Sequence, residues 1–390
     1  MSQLLESRWS ETKEALLEGL QGTKRTVMAT TLENTRKYLA ESATSGATSA
    51  GNVATLNRVI LPVIRRVMPT VIANELVGVQ PMTGPVGQIH TLRVRYADSF
   101  NSTGGTDVTA GEEALSPFKI AEGYSGSAAN DKAAATAALE GVAGNRMSIQ
   151  ILKQTVEAKT RKLSARWTFE AAQDAQAQQG IDIEAEIMAA LAQEITAEID
   201  QEVLGSLNSL AGTVLTYDQN AVSGTATFVG DEHAALAVQI NRVANLIAQR
   251  TRRGAGNWAV VSPTVLTLLQ SATTSAFART TEGTFEAPTN TKFVGTLNSA
   301  MKIYVNGYAT SDDVLVGYKG SSESDAAAFY CPYIPLMSSG VVLDPSTFEP
   351  VVSFMTRYGY VELTNTASSL GNAADYLGKV AVTTANLKFA

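Results

Sequence analysis

Residues 97–146 constrain this chain more than any other stretch, because they consist largely of Ala, Gly, Ser, Thr and Asn with few large apolar side chains. A connection of that length without packing of its own is uncommon inside a compact domain unless it is functional or disordered. The flanks suggest a third reading. On one side "QIHTLRVRY" alternates Ile89, Thr91, Arg93 and Arg95 against His90, Leu92, Val94 and Tyr96, and on the other "MSIQILKQTVEAKTRKLSARWTF" alternates again. Alternation at period two reads as strand. Two strands around such a segment predict a long hairpin arm that cannot bury itself and needs a neighbour. Ahead of the first strand, "QPMTGPVGQ" supplies turn residues, among them Pro81, Gly84 and Pro85.

A second stretch predicts the most regular element. In "GIDIEAEIMAALAQEITAEIDQEVLGSLNSL", Ile183, Ile187, Leu191, Ile195, Ile199 and Val203 recur every four residues, joined by Met188, Leu204 and Leu207. A four-residue step drifts around a helix of 3.6 residues per turn, so the stripe spirals and can touch more than one layer. Asp182 fits an N-cap, and Glu184 and Glu186 suit the first turn. The pattern predicts one helix over 182–210, a structural spine.

Around these two features the chain divides. Residues 1–41 hold six acidic and six basic side chains, with a partial helical stripe of Leu4, Leu5, Trp9, Leu16, Leu17 and Leu20. "SATSGATSAGN" then has no side chain able to anchor a core and reads as a flexible linker, which makes the first 41 residues look detachable. Residues 42–79 read as linker and arm, with helical spacing from Val53 interrupted by Pro62 and Pro69. A second lobe is expected over 213–337. It includes a helix from Ala234 to Arg253 stopped by Gly254, a buried strand "NWAVVS", and a helix capped by Ser262 and started by Pro263. Residues 338–390, with the strand pattern "FEPVVSFMTRYGYVEL", are expected to return to the first lobe, which holds 80–212. The class is α+β.

Composition excludes several functions. A chain that is 45% hydrophobic and 17% charged has ample material for a core and is not mainly disordered. The net charge of −7, with no long basic run, gives no sign of phosphate-backbone binding. Cys331 is the lone cysteine, so no intrachain disulfide is expected and a reducing cytoplasm suits the chain. His90 and His233 are the only histidines, and zinc-type spacings are missing, so neither metal nor cofactor is expected. No apolar run is long enough to span a membrane, and the N-terminus lacks a signal-peptide core.

Motifs that suggest chemistry have simpler readings. "GAGNWA" matches a dinucleotide fingerprint, but here a helix precedes and a strand follows, the reverse of what places phosphate on a helix N-terminus. "SPFK" gives Ser116 and Lys119 the spacing of acylating hydrolases without the companion motifs. Pro117 and Phe118 in the same stretch serve better as a contact knob at the arm's tip. His90 reads as a packed or interface histidine, and His233 as a cap or surface residue. Glu184, Glu194, Glu198 and Glu202 read as a solvated helix face rather than metal ligands, since no Glu-x-x-His pair accompanies them. No catalytic constellation is found, and the chain is expected not to be an enzyme.

Four blocks, in this order, carry a family resemblance: "ANELVGVQPMTGPVGQIHTLRVRY"; "VEAKTRKLSARWTFEAAQDAQAQQGIDIEAEI"; "VGYKG" followed by "DAAAFYCPYIPL"; and "DPSTFEPVVSFMTRYG". Spread from Ala73 to Gly359, they resemble the major capsid proteins of T-even-type tailed bacteriophages. The resemblance implies the tailed-phage HK-97-type capsid fold. It comprises an N-terminal arm, an extended loop at 97–146, a peripheral domain carrying the spine helix, and an axial domain at 213–337. It implies self-assembly into an icosahedral head of hexameric and pentameric capsomers that encloses double-stranded DNA without sequence-specific binding. Scaffolding protein, prohead protease, portal, and vertex or decoration proteins would be the partners, with assembly in the bacterial host cytoplasm and residence in the virion. On this reading Pro81, Gly84, Pro85, Arg93, Arg95, Pro117 and Phe118 are inter-subunit contact candidates. The family's maturation protease cuts after Leu/Ile-x-Glu, which places a cleavage between Glu41 and Ser42, with further matches after Glu6 and Glu18. Alternatives are a vertex paralogue or encapsulin-like shell protein of the same fold and, more distantly, a serine hydrolase using Ser116.

Overall fold

This computed structural model describes residues 72–387 except 104–106, 113, 115–120, 128–131, 180–182, 223–228, 273–276, 280–291, 299 and 364–372, together with 25–34 and single positions between 9 and 22. In chain order the strands are β1 (Gly78–Val79), β2 (Val86–Tyr96), β3 (Met147–Glu157), β4 (Lys159–Arg166), β5 (Thr213–Tyr217), β6 (Trp258–Val261), β7 (Phe277–Arg279), β8 (Lys292–Leu297), β9 (Met301–Val305), β10 (Val314–Gly317), β11 (Ala328–Ser338), β12 (Val342–Leu343), β13 (Pro350–Glu362) and β14 (Leu377–Val382). Helices and strands mix along the chain, as the α+β reading expects, and they sort into two compact units.

The first unit takes residues 1–87, 156–206 and 328–361. Its sheet runs β1-β11-β13-β12, and β4 also pairs with β13. β13 alternates from Pro350 to Tyr358 because one face is packed: Val352, Phe354 and Tyr358 are buried while Val351, Ser353, Met355 and Arg357 are half-exposed. Its pairing with β4 runs unbroken from Arg166 opposite Val351 to Lys159 opposite Tyr358. The spine helix, Ile183–Leu210, presents the predicted stripe. Met188, Leu191, Ile195, Ile199, Val203, Leu204 and Leu207 are buried, and Ile183 and Ile187 are only half-buried. Asp182 lies outside the described residues.

The second unit takes residues 88–155, 207–327 and 362–390. Its seven-stranded sheet has the order β5-β14-β10-β6-β9-β8-β7. The helix Val229–Thr251 contributes Leu236, Ile240, Val243 and Ile247 to a core shared with Val261, Ile303, Val314 and Val380. Every residue of β6 is buried, as the run "WAVV" predicts for a strand covered on both faces. The Ser262 hydroxyl accepts from the Val265 N–H at 3.3 Å and caps the helix Pro263–Ser271, with proline at its start.

Two sequence-based boundaries change. The break expected between 337 and 338 falls inside β11, which belongs to the first unit's sheet. Residues 338–390 do not travel together either, because β13 pairs in the first sheet whereas β14 lies between β5 and β10 in the second. The parallel pairing of β14 with β5 joins segments more than a hundred residues apart in the chain. Local periodicity carries no signal of such a crossover.

Candidate assembly surfaces

The strand patterns predicted on either side of 97–146 form an antiparallel ribbon of β2 and β3, each 11 residues long. The Ala97 N–H donates to the Arg146 carbonyl at 2.9 Å at one end, and the Ala158 N–H to the Pro85 carbonyl at 2.9 Å at the other. This register, free of insertions, sets Leu92 opposite Ile151, Val94 opposite Ile149 and Tyr96 opposite Met147, all on one face. Tyr96 is buried and Val94 half-buried against the loop, but the rest of that face is exposed to an unusual degree: Leu92 65%, Met147 54%, Ile149 67% and Ile151 67%. A contiguous apolar stripe in solvent is the mark of an interaction surface, whereas scattered apolar residues are not. His90 is exposed on the same strand face, so it is an unpacked histidine in the single chain.

The loop beyond the ribbon corrects the expectation that a stretch with few large apolar groups has no packing of its own. Tyr96, Phe100, Val108, Ala114, Ala121 and Tyr124 gather into a small core. The Tyr124 ring sits 4.6 Å from Tyr96 and 5.9 Å from Phe100, centroid to centroid. Its hydroxyl donates to the Arg146 carbonyl at 2.6 Å, and Asp98 holds the Arg146 guanidinium through Nε at 3.3 Å and Nη2 at 3.1 Å. Hydrogen bonds from Arg146 hold the half-buried Asp98 carboxyl below its usual range. These contributors are spaced too widely along the chain to stand out against the Gly/Ala background.

The turn before the ribbon is fixed to β11. The Gln80 N–H donates to Tyr330 O and the Met82 N–H to Pro332 O, both at 3.0 Å. Pro81 and Gly84 are half-buried and Pro85 is exposed. Met82 is buried, and a Cβ on Gly87 would stand 3.2 Å from its sulfur, while one on Gly359 would stand 3.3 Å from its Cε. Two glycines therefore make room for one methionine at the root of the ribbon. Arg93 and Arg95 lie on β2, with Arg95 half-buried. Pro117, Phe118, Ser116, Lys119, Glu41 and Ser42 lie outside the described residues.

Three features were not read from the sequence. The first 41 residues look detachable by composition, yet within the helical residues 25–34 Val27, Met28, Thr31, Leu32 and Asn34 are buried. The Asn34 amide donates to Met82 O at 2.6 Å and to Tyr333 O at 3.0 Å. Second, Glu198 and Glu202 are not simply a solvated face. Arg161 of β4 donates to each at 2.5 Å and to the Tyr358 hydroxyl at 2.6 Å, and Tyr358 in turn donates to Glu202. Burial would raise the Glu202 carboxyl, but the bonds from Arg161 and Tyr358 outweigh it and hold the group low. Burial and Glu202 together push the Tyr358 hydroxyl up. Third, Asp200 is buried on the spine with Oδ1 accepting from the Ile72 N–H at 2.8 Å and Oδ2 without a partner. Burial pushes this carboxyl up to about 7, against the lowering pull of that bond.

The remaining reactive groups are tied up. His233 is buried, not a surface cap, with Nδ1 2.6 Å from the Ser271 hydroxyl, which itself donates to Leu268 O at 3.0 Å. Burial pushes the Cys331 thiol up to about 12, which makes it a poor nucleophile. Gly254 and Gly256 of "GAGNWA" leave space for packing: a Cβ would come within 2.5 Å of Tyr318 and 2.8 Å of Val316 respectively. Among the described residues no three His, Cys, Asp or Glu side chains group closely enough to hold a metal ion.

Comparison with known proteins places the chain in a family. Residues 53–382 match the family described as Major capsid protein Gp23. The major capsid protein of Vibrio phage KVP40 is 32% identical, over 84% of this chain and 80% of that protein. The major capsid protein of Enterobacteria phage T4 is 30% identical, over 83% of this chain and 78% of that protein. Among solved structures, one from Mycobacterium phage Bobi aligns over 80% of this chain and 90% of its own at 13% identity, with a TM-score of 0.46. The chain belongs to the Gp23 major capsid protein family.

Proposed function

We propose that this chain is the structural building block of a phage head, an HK-97-type shell protein that associates with copies of itself around double-stranded DNA. The observation that carries the reading is the Gp23 match over residues 53–382. The ribbon supplies its physical basis. Covering Leu92, Met147, Ile149 and Ile151 would contribute about 4–8 kcal/mol per copy before the entropy of association is subtracted. A second copy of the chain is the occupant this reading assigns to that stripe. Pro81, Gly84 and Pro85 set the ribbon's root, Arg93 and Arg95 lie along it, and Pro117 and Phe118 contact a neighbour from its loop. The first unit acts as the peripheral domain and the seven-stranded sheet as the axial domain. The net charge of −7 suits a container that must not adhere to its contents.

The chain acts without catalysis, in the virion, after assembly in the host cytoplasm with scaffolding protein, portal and a prohead protease. That protease removes residues 1–41 by cutting between Glu41 and Ser42. Mass spectrometry of purified DNA-filled heads tests both points. This chain should be the most abundant head polypeptide and should begin at Ser42. A copy number that fits only the fivefold vertices favours the vertex paralogue, and an intact N-terminal peptide at full stoichiometry refutes cleavage.

A further inference from the structure

The Asn34 side chain joins two segments that are far apart in sequence. Its amide nitrogen donates both of its protons, to Met82 O in the turn before the ribbon and to Tyr333 O in β11. Val27 and Thr31 precede Asn34 by seven and three residues, which puts all three on one side of the helix, and all three are buried. The Thr31 hydroxyl is satisfied inside the helix by the Met28 carbonyl at 2.9 Å, so it adds no polar demand to that buried side. Glu33 is held on another side by Trp9 Nε1 and by Lys13 Nζ, each at 3.3 Å. The helix is therefore docked by a buried two-carbonyl clamp and braced by residues further upstream. That arrangement is a fitted contact, where composition suggests a detachable segment.

We propose that the surface around the Met82 and Tyr333 carbonyls is a helix-binding seat whose occupant, residues 25–34 of this chain, stays bound when the backbone between helix and seat is severed. A cut after Glu41 removes only the tether, whose effect is to raise local concentration. It leaves every contact just described in place. Maturation of the N-terminus would then need a step that empties the seat, separate from cutting the bond. The biological consequence rests on the cleavage proposed above, but the seat itself does not.

The test uses the full chain with a site-specific protease sequence placed within Ser42–Asn52, cut in vitro and passed over a size-exclusion column at micromolar concentration. The N-terminal fragment is expected to co-elute with the remainder. Asn34→Leu, similar in size but without donors, is expected to weaken retention about 10- to 100-fold through loss of two buried hydrogen bonds. Elution of the unsubstituted fragment on its own overturns the proposal, and so does undiminished retention of Asn34→Leu. Hydrogen exchange on the unsubstituted chain gives a readout that does not depend on the variant folding. Protection over 78–86 and 330–336 should be the same before and after the cut, and its loss on cutting also overturns the seat. Because the cut is engineered, a phage in which Glu41–Ser42 is never cleaved would refute the maturation reading and leave this one standing.

Discussion

Two apolar stripes stand out in this protein, and their surroundings are opposite. On the spine helix, Ile195, Ile199 and Val203 are buried by the chain's own residues. On the ribbon, Leu92, Ile149 and Ile151 follow an equally regular pattern and remain in solvent. Periodicity reports that one face must be covered and does not report by what. A two-stranded ribbon has no third layer, and the loop core covers its apolar face only at Tyr96 and Val94, so Leu92, Ile149 and Ile151 await cover from elsewhere. On the proposed reading, the difference separates residues that stabilise the fold from residues that serve association.

The largest effect is expected from charging the spine. Ile195→Asp would put an unpaired carboxylate on the buried stripe at a cost of several kcal/mol, a large part of a typical domain's stability. Soluble yield and thermal melting should both collapse. A variant that folds and assembles normally would show that the buried face has been misassigned. The matching change on the ribbon, Ile149→Asp with Ile151→Asp, should leave the melting of free subunits within about 0.5 kcal/mol of the unsubstituted chain. It should abolish particle formation, scored by sedimentation and negative-stain microscopy. A destabilised subunit would mean that the chain covers its own ribbon, and normal particles would mean that no neighbour does.

What could be read from the sequence follows the same division. Ile183 to Leu207 and the alternation in β13 were legible because burial there repeats along the chain. Tyr124 and Phe100 were missed because their core is assembled from single residues separated by long polar runs. The placement of β14 was missed because pairing across a crossover leaves no local pattern. Asn34 and Asp200 were missed for a different reason. Each is a polar residue whose burial becomes meaningful only once its partners, the Met82 and Tyr333 carbonyls or the Ile72 N–H, are brought to it by the fold. The blocks around the Pro/Gly turn pointed to the family, yet the contacts made by that turn were not visible in them.

Asp200 sharpens the comparison from within the buried stripe. Its carboxyl is pushed up to about 7 in the folded chain, above its ordinary value of 3.8. The folded state therefore holds the proton more tightly than the unfolded one, and stability rises as pH falls from about 7 toward 4. The penalty, at most about 4 kcal/mol, is fully present above that window. Asp200→Asn keeps an acceptor for the Ile72 N–H, so it should flatten this dependence and raise the melting temperature at pH 8 by several degrees. An unchanged pH slope would contradict the assignment. Asp98, paired near the surface with the exposed Arg146, is shifted the other way and should add little to the profile.

A smaller contrast uses two glycines. A Cβ on Gly359 of β13 would lie 2.4 Å from Val156 Cγ1 and 3.3 Å from Met82 Cε, whereas one on Gly144 in the arm's loop would meet nothing within 4 Å. Gly359→Ala should cost about 1–3 kcal/mol by overpacking. Gly144→Ala should stay within about 0.5 kcal/mol. Denaturant melts of both variants check this, and equal effects would mean that packing at the ribbon's root is looser than these distances imply.

The claim that the ribbon's stripe is covered by another copy has a direct measurement. Ile151→Cys places a thiol on the stripe, against a background in which the lone native cysteine, Cys331, is buried. Labelling with a small thiol reagent should be fast in free subunits and slower by about an order of magnitude or more in assembled particles, where coverage must open before the reagent can enter. Equal labelling rates in the two states would contradict the account.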